Sequence, residues 1–299
     1  MKTVLSIDNL HKRYGKIHAV NGLSLEVEEG AVFGILGPNG SGKSTTLGIL
    51  LDVVARDSGD FRWFGQPSST DARKQIGAIL ETPTFYPYLS AVQNLQIVAR
   101  IKEVSFDKIE VVLQTVGLHQ RKDDSFKTFS LGMKQRLAIA SALLADPKVL
   151  ILDEPTNGLD PQGIAEIRQL IIDIAHSGKT IILASHLLYE VQKVCTHFAV
   201  LNKGKKIYSG SVNDALSGSD TVEVAATDMD HLQKLVTDFP NVKNIVRENG
   251  HLRLSLDQSQ SSIDLNRFLI EKGIVLSHLR QQSKSLEKQF LELLASSDE

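Results

Sequence analysis

Apolar and polar positions change rhythm partway along this chain. AVFGIL, from Ala31 to Leu36, is a short apolar run that ends at Gly37 and leads into a glycine-rich turn and a helix start. VLIL, from Val149 to Leu152, and TIILA, from Thr180 to Ala184, are further runs of buried-strand length. Between those two, Ile164, Ile167, Ile171 and Ile174 recur at helical spacing within Ile164–Ala175. Strand, helix, strand in this order predicts an α/β unit whose parallel sheet is covered by helices. The segment from Glu81 to Ala145 reads as mostly helical, an inserted helical lobe.

Beyond Gly210 the pattern differs. Thr221 to Ala225 alternates as a strand does, and Leu232, Leu235, Val236 and Phe239 mark one face of a helix. Val242–Arg247 and His251–Leu256 flank Asn249-Gly250, a hairpin turn signal. Leu265, Phe268 and Leu269 predict a second helix, Val275–Leu279 a last strand, and Ser285 to Leu294 a closing helix. The order β-α-β-β-α-β is that of a small α+β ferredoxin-like sandwich. SGSVNDALSGSD, from Ser209 to Asp220, reads as a turn-rich connection, with room for a helical turn from Val212 to Leu216. Domains of 1–215 and 216–299 follow. The second shows no catalytic constellation and reads as a structural or regulatory appendage.

Charge sharpens this division. Residues 211–299 carry 9 Lys and Arg against 14 Asp and Glu, so the acidity sits in the second unit. The whole chain of 299 residues has a net charge of −2, which argues against a polybasic nucleic-acid binder. A single cysteine, Cys195, excludes an internal disulfide and a cysteine-built zinc site. No run of about 18 apolar residues occurs, and the first residues lack the apolar stretch of a signal peptide. The expected location is therefore cytoplasmic, with no direct membrane insertion.

The chemistry is concentrated after the first apolar run. GPNGSGKST comprises Gly37, Pro38, Asn39, Gly40, Ser41, Gly42, Lys43, Ser44 and Thr45. It matches the phosphate-loop pattern G-x-x-x-x-G-K-[ST] in the required strand–turn–helix context. Its glycines permit turns that expose backbone N–H groups to phosphate oxygens at a helix start. Lys43 is placed against the outer phosphates, Ser44 on Mg²⁺, and Thr45 adds a phosphate contact. The run ending at Asp153 and Glu154 supplies the rest. Adjacent carboxylates at the end of a buried strand need a charge partner. Asp153 is assigned to Mg²⁺ and Glu154 to general-base activation of the attacking water.

With LILDEP added to the phosphate loop, the chain resembles the ATP-binding subunit of an ABC transporter over about residues 1–215. The resemblance implies a P-loop NTPase core with an antiparallel β lobe and a helical lobe. It also implies two subunits closing head to tail around two ATP molecules. It places Tyr14, in HKRYG, under the adenine ring, although a half-buried strand aromatic fits the residue too. FSLGMKQR, Phe129 to Arg136, stands where the family usually has LSGGQ. Ser130 and Gly132 match, while Leu131, Met133 and Lys134 depart, as in drug- and bacteriocin-export members. Ser130 and the Gly132 N–H are then expected to reach the γ-phosphate of the partner's ATP. Ser130 also suits a helix N-cap, and both roles are compatible.

NGLD matches the D-loop, so Asp160 helps join the two sites, while Asp160-Pro161 also reads as a helix start. His186, in ASHLLYE, matches the switch histidine that touches the γ-phosphate. Glu81 replaces the usual Gln that contacts Mg²⁺ and senses the permease, as in the lantibiotic and bacitracin self-protection exporters. A carboxylate also ligates Mg²⁺ through oxygen, while adding negative charge and losing the amide donor, or the position is simply tolerant. The segment FYPYL, Phe85 to Leu89, either docks the permease or packs the lobe's own core.

The resemblance implies an ATPase using ATP and Mg²⁺ to power export through a separate permease, as a homo- or heterodimer, peripheral on the cytoplasmic membrane face. One alternative is a soluble ABC ATPase acting on nucleic acid or ribosomes. The single phosphate loop and the lack of a sustained heptad run weigh against it. Another is a regulatory pseudo-ATPase, disfavoured by Lys43, Asp153, Glu154 and His186 occurring together.

Overall fold

Two twelve-residue strands, β1 (Thr3–Tyr14) and β2 (Ile17–Glu28), pair antiparallel across a two-residue turn in which Gly15 takes φ +58°. They belong to a computed structural model that describes residues 2–80, 84–216, 221–240, 242–248, 250–256 and 261–282. After β3 (Val32–Leu36) and α1 (Lys43–Leu50) come β4 (Ser58–Trp63) and β5 (Gln66–Pro67), giving a sheet of order β2-β1-β4-β5. Fully buried Trp63 ties this sheet to the first helix, its indole N–H donating to the Leu50 carbonyl at 3.0 Å.

Past α2 (Thr70–Lys74) and β6 (Ile76–Ile79) the chain turns helical, as its pattern predicts. It forms α3 (Ala91–Ile101), α4 (Asp107–Thr115) and α5 (Leu131–Leu143), with short 3₁₀ turns at His119–Arg121 and Phe126–Thr128. Ser90 and Gln93 close a reciprocal capping box at the start of α3. Buried Asn94 organises the preceding loop. Its Oδ1 accepts from Tyr86 N–H at 2.9 Å, and its Nδ2 donates to the carbonyls of Tyr86, Leu89 and Ser90. We expect Asn94→Ala to destabilise the first unit by about 1–3 kcal/mol, because Tyr86 N–H loses its amide acceptor and the loop carbonyls lose the Asn94 donor. Calorimetry checks this, and an unchanged unfolding midpoint counts against it.

The FYPYL segment packs the lobe's own core in part. Phe85 packs edge-on to Phe126 at 5.2 Å, whereas Tyr86 and Tyr88 are exposed. The chain continues through β7 (Val149–Asp153), α6 (Pro161–His176), β8 (Thr180–Ser185), α7 (Leu188–Val194), β9 (His197–Asn202), β10 (Lys205–Ser211) and α8 (Val212–Leu216). These complete a six-stranded sheet of order β10-β9-β3-β8-β7-β6, parallel except for β10. Every residue of β3, β7 and β8 is buried, which is why they read as uninterrupted apolar runs. Because the three are parallel, the glycine turn after β3, Asp153 on β7 and His186 after β8 emerge at the same sheet edge, where ligands of such folds bind.

Composition misjudges Ser209–Ser211. These residues close β10 instead of opening a loop, because pairing with Ala199, Phe198 and His197 satisfies their backbone. The helical turn from Val212 to Leu216 is present. Residues up to Val212 form one compact unit, and the described residues from Asn213 onward form another.

The second unit contains β11 (Thr221–Ala226), α9 (Met229–Thr237), β12 (Val242–Glu248), β13 (His251–Leu256), α10 (Ser262–Glu271) and β14 (Leu276–Gln282). Its antiparallel sheet has order β12-β13-β11-β14. It has its own core, with Val222, Val224, Leu252 and Leu254 from the sheet and Leu232, Val236, Leu265 and Leu269 from the helices. Gly250 holds φ +78° at the expected hairpin turn, and Asn249 lies outside the described residues. The helix expected from Ser285 to Leu294 also lies outside them. No described helix is long and apolar enough to cross a membrane.

Candidate functional site

The turn after β3 is built around glycines that nothing larger replaces. A Cβ on Gly37 would fall 2.3 Å from Ser41 Oγ and 2.4 Å from the Leu201 carbonyl oxygen. One on Gly42, whose φ is +104°, would fall 2.1 Å from the Ala19 carbonyl oxygen. The turn is braced from outside as well, since Gly204 N–H donates to the Ser41 carbonyl at 3.1 Å. Pro38, Asn39, Gly40 and Ser44 are exposed, Thr45 is half-buried, and Gly42 caps α1. Ser41 is buried, yet its hydroxyl has no hydrogen-bond partner among the described residues. A cradle closed to side chains, with helix-start N–H groups and an unsatisfied hydroxyl, fits a phosphate chain.

Lys43 is buried at the inner wall of this turn. Its ammonium donates to the Gly37 carbonyl at 2.8 Å and the Pro38 carbonyl at 3.3 Å, and lies 3.4 Å from Glu154 Oε1. Glu154 is just past β7 with φ +48°, a left-handed backbone that costs a non-glycine residue about 1–2 kcal/mol. Its N–H donates to the Ala184 carbonyl at 2.9 Å, which fixes this turn against β8. The other carboxylate oxygen, Oε2, is 2.8 Å from His186 Nδ1. An ionised carboxylate only accepts, so the imidazole carries hydrogen on Nδ1 in this contact. Lys43, Glu154 and His186 thus form one connected group from three strand ends. Asp153 is buried beside them in sequence, the last residue of β7.

Ser130, Gly132 and Asp160 gather elsewhere. They line a cleft of about 410 Å³ with Leu131, Met133 and Arg136 from α5 and Gly158, Leu159 and Glu166 around the start of α6. Among the described residues its lining includes none of Lys43, Glu154 and His186. Ser130 caps α5 by accepting from Met133 N–H, and Asp160 caps α6 by accepting from Gly163 N–H at 2.9 Å. The N-cap readings of both residues therefore hold. Arg136 spans the cleft's helices, donating to the Val116 carbonyl at 2.9 Å and meeting Glu166 at 2.7 Å. No sequence motif marks Arg136 and Glu166 as a pair. The only signal was a charged pair thirty residues apart, which spacing alone does not join.

Tyr14 ends β1 and is 49% exposed, so it is not the half-buried core aromatic of a strand. Lys12 lies 5.5 Å from the ring centroid and pairs with Asp57 at 3.0 Å. The hydrogen bond from Lys12 holds the Asp57 carboxyl below its ordinary pKa. Glu81 lies outside the described residues. Ser44 is exposed at the start of α1 and Asp153 is buried at the end of β7, and each carries oxygen, the donor atom that a hard divalent cation takes.

Known proteins resemble this chain in sequence and fold. The family model described as ABC transporter matches residues 20–157. The ABC transporter ATP-binding protein YhcH of Bacillus subtilis (strain 168) is 39% identical, over 100% of this chain and 98% of its own length. The bacitracin transport ATP-binding protein BcrA of Enterococcus faecalis is 34% identical, over 98% of this chain and 97% of its own. The lantibiotic transport ATP-binding protein SrtF of Streptococcus pyogenes is 42% identical, over 70% of this chain and 93% of its own. Among solved structures, cbiO1 from Clostridium perfringens, part of the ABC transporter complex cbiONQ, superposes with a TM-score of 0.67 at 28% identity. That match covers 80% of this chain and 97% of the other. Full-length identity of this order, on a fold whose glycine cradle and strand-end carboxylates converge, leads to one conclusion: the chain belongs to the ABC transporter ATP-binding proteins, a family of nucleotide-binding ATPases.

Proposed function

We propose that this chain hydrolyses ATP together with a second ATP-binding subunit and powers export of a drug, peptide or bacteriocin-class substrate through a separate membrane permease. The observation that carries the reading is the Lys43–Glu154–His186 group beside the glycine cradle. The N–H groups from Gly37 to Thr45 hold the phosphates, and Lys43 exchanges its carbonyl partners for phosphate oxygens. Tyr14 stacks on the adenine. Ser44, Asp153 and Glu81 hold Mg²⁺, which when bound offsets phosphate charge. Glu154 takes a proton from water as the water oxygen attacks the γ-phosphorus. The bond from that phosphorus to the bridging oxygen breaks, and ADP and phosphate leave. His186 keeps the Glu154 carboxylate aimed and faces the γ-phosphate. Ser130, the Gly132 N–H and Asp160 serve the ATP held by the partner subunit, from the cleft they share.

A similar Nod factor export ATP-binding protein of Cupriavidus metallidurans favours export over import, and the match to bacitracin and lantibiotic transport ATP-binding proteins disfavours action on nucleic acid or ribosomes. In this reading the protein is cytoplasmic and peripheral on the membrane, held there by the permease. Residues 216–299 form an accessory ferredoxin-like domain, a topology supported by the β12-β13-β11-β14 order with two helices. Affinity purification from native membranes tests the reading. A polytopic membrane protein should accompany the chain in stoichiometric amount, and ribosomes or DNA without one would overturn it. With that permease, Glu81→Gln should keep ATP binding and change transport-coupled ATPase activity. Unchanged coupled activity removes the sensing role from Glu81.

A further inference from the structure

We propose that Arg168 and Glu190 are positioning residues that hold the His186 loop against the helix beginning at Asp160, and so keep the hydrolytic carboxylate in its working direction. The inference rests on the assignment of Glu154 and His186 to hydrolysis made above.

Arg168 is on α6, two turns beyond the Asp160 cap. Glu190 is in the first turn of α7. Their side chains meet as a parallel fork, Nε to Oε2 at 2.9 Å and Nη2 to Oε1 at 2.8 Å. The Glu190 side chain is only 8% exposed, and both its oxygens are committed to this one guanidinium. Such a fork fixes relative angle as well as distance. The guanidinium also lies 5.6 Å from the ring centroid of Tyr189, and Lys193 lies 5.5 Å from the same ring.

Val191 and Val194 bury α7 in the core, but apolar packing is non-directional, so the angle of the helix is left to the fork. α7 has seven residues and no side-chain cap at its start, so it does not hold its place by intrinsic helicity. It is fastened to His186 almost without slack. Leu187 N–H donates to Ser185 Oγ at 3.0 Å, and the N–H groups of Glu190 and Val191 donate to the Leu187 carbonyl. His186 sits between the buried end of β8 and this anchored turn. Its Nδ1 contact with Glu154 then depends on where α7 lies. A partly buried ion pair adds little adhesion that an apolar pair of equal volume would not supply. Angular control is what the charged fork adds.

Steady-state ATPase kinetics on the full chain separate the two roles. Glu190→Gln should lower kcat on the order of ten- to a hundredfold, as small misplacements of reacting groups do. Half-saturation by ATP should stay within about twofold, because binding contacts are untouched. Glu190→Gln leaves the half-buried Arg168 guanidinium without its carboxylate and loses stability. The double variant Arg168→Met/Glu190→Leu leaves no unpaired charge, so its unfolding midpoint should return towards that of the parent while kcat stays low. Parent-like kcat in the stable double variant overturns the positioning role. Glu154→Gln assayed alongside reports on the underlying assignment. If it too turns over normally, hydrolysis does not use this carboxylate and the positioning role falls with it.

Discussion

Glu154→Gln is expected to leave ATP binding intact and to cut turnover roughly a hundred- to ten-thousandfold, the range over which a positioned general base contributes. The substitution changes almost nothing else. Gln has the same length, keeps an oxygen to accept from His186 Nδ1, and its N–H can still donate to the Ala184 carbonyl. The φ of +48° is a backbone matter and is equally costly for either residue. What disappears is a negative charge and a proton acceptor. The charge lies 3.4 Å from Lys43, the residue that meets phosphate oxygens, so its removal frees that ammonium and relieves repulsion from the triphosphate. ATP affinity should therefore be equal or tighter while phosphate release collapses. Equilibrium binding of a fluorescent ATP analogue and a phosphate-release assay on the same preparation decide the matter. Turnover within tenfold of the parent would remove Glu154 as the base.

That expectation was legible in the sequence because the chemistry is local. The turn from Gly37 to Thr45 is specified by nine consecutive residues, and Asp153-Glu154 by the abrupt end of an apolar run. The all-buried strands β3, β7 and β8 could be read for the same reason, and their parallel order followed from the intervening helix pattern. The first lobe was not readable from periodicity. β1 and β2 change register between Thr3 and Leu5, between Ile7 and Leu10 and again after Leu10, so strict alternation is lost within each strand. Long-range polar pairs were invisible too. Arg168 and Glu190 are twenty-two residues apart on two helices, and only packing brings their fork together. Asn94 likewise looks like an ordinary polar helix residue until the loop it bonds is folded over it. The family resemblance supplied Ser130, Asp160 and His186 as site residues. The structure adds that Ser130 and Asp160 cap the two helices bordering one cleft.

Gly42→Ala should abolish measurable nucleotide binding with little loss of secondary structure. Two costs coincide at this position. A φ of +104° suits glycine and strains any L side chain, by about 1–2 kcal/mol for the backbone alone. The added methyl would also lie 2.1 Å from the Ala19 carbonyl oxygen and 3.7 Å from Gly204 Cα. Neither neighbour gives way easily. Ala19 belongs to β2, which is hydrogen-bonded along β1, and Asn21 N–H donates to the Gly204 carbonyl at 2.8 Å. The turn must therefore move instead, which swings the first N–H groups of α1 off the phosphate position and draws Lys43 with them. Gly40 provides the comparison. Its φ is +79°, yet a Cβ there meets nothing within 4 Å, so Gly40→Ala bears strain without a clash. Its affinity should fall only about tenfold, the equivalent of roughly 1.4 kcal/mol. Isothermal titration with ATP on both variants, with circular dichroism to confirm folding, measures the difference. Equal affinities would mean that the close approach to Ala19 does not govern the phosphate site.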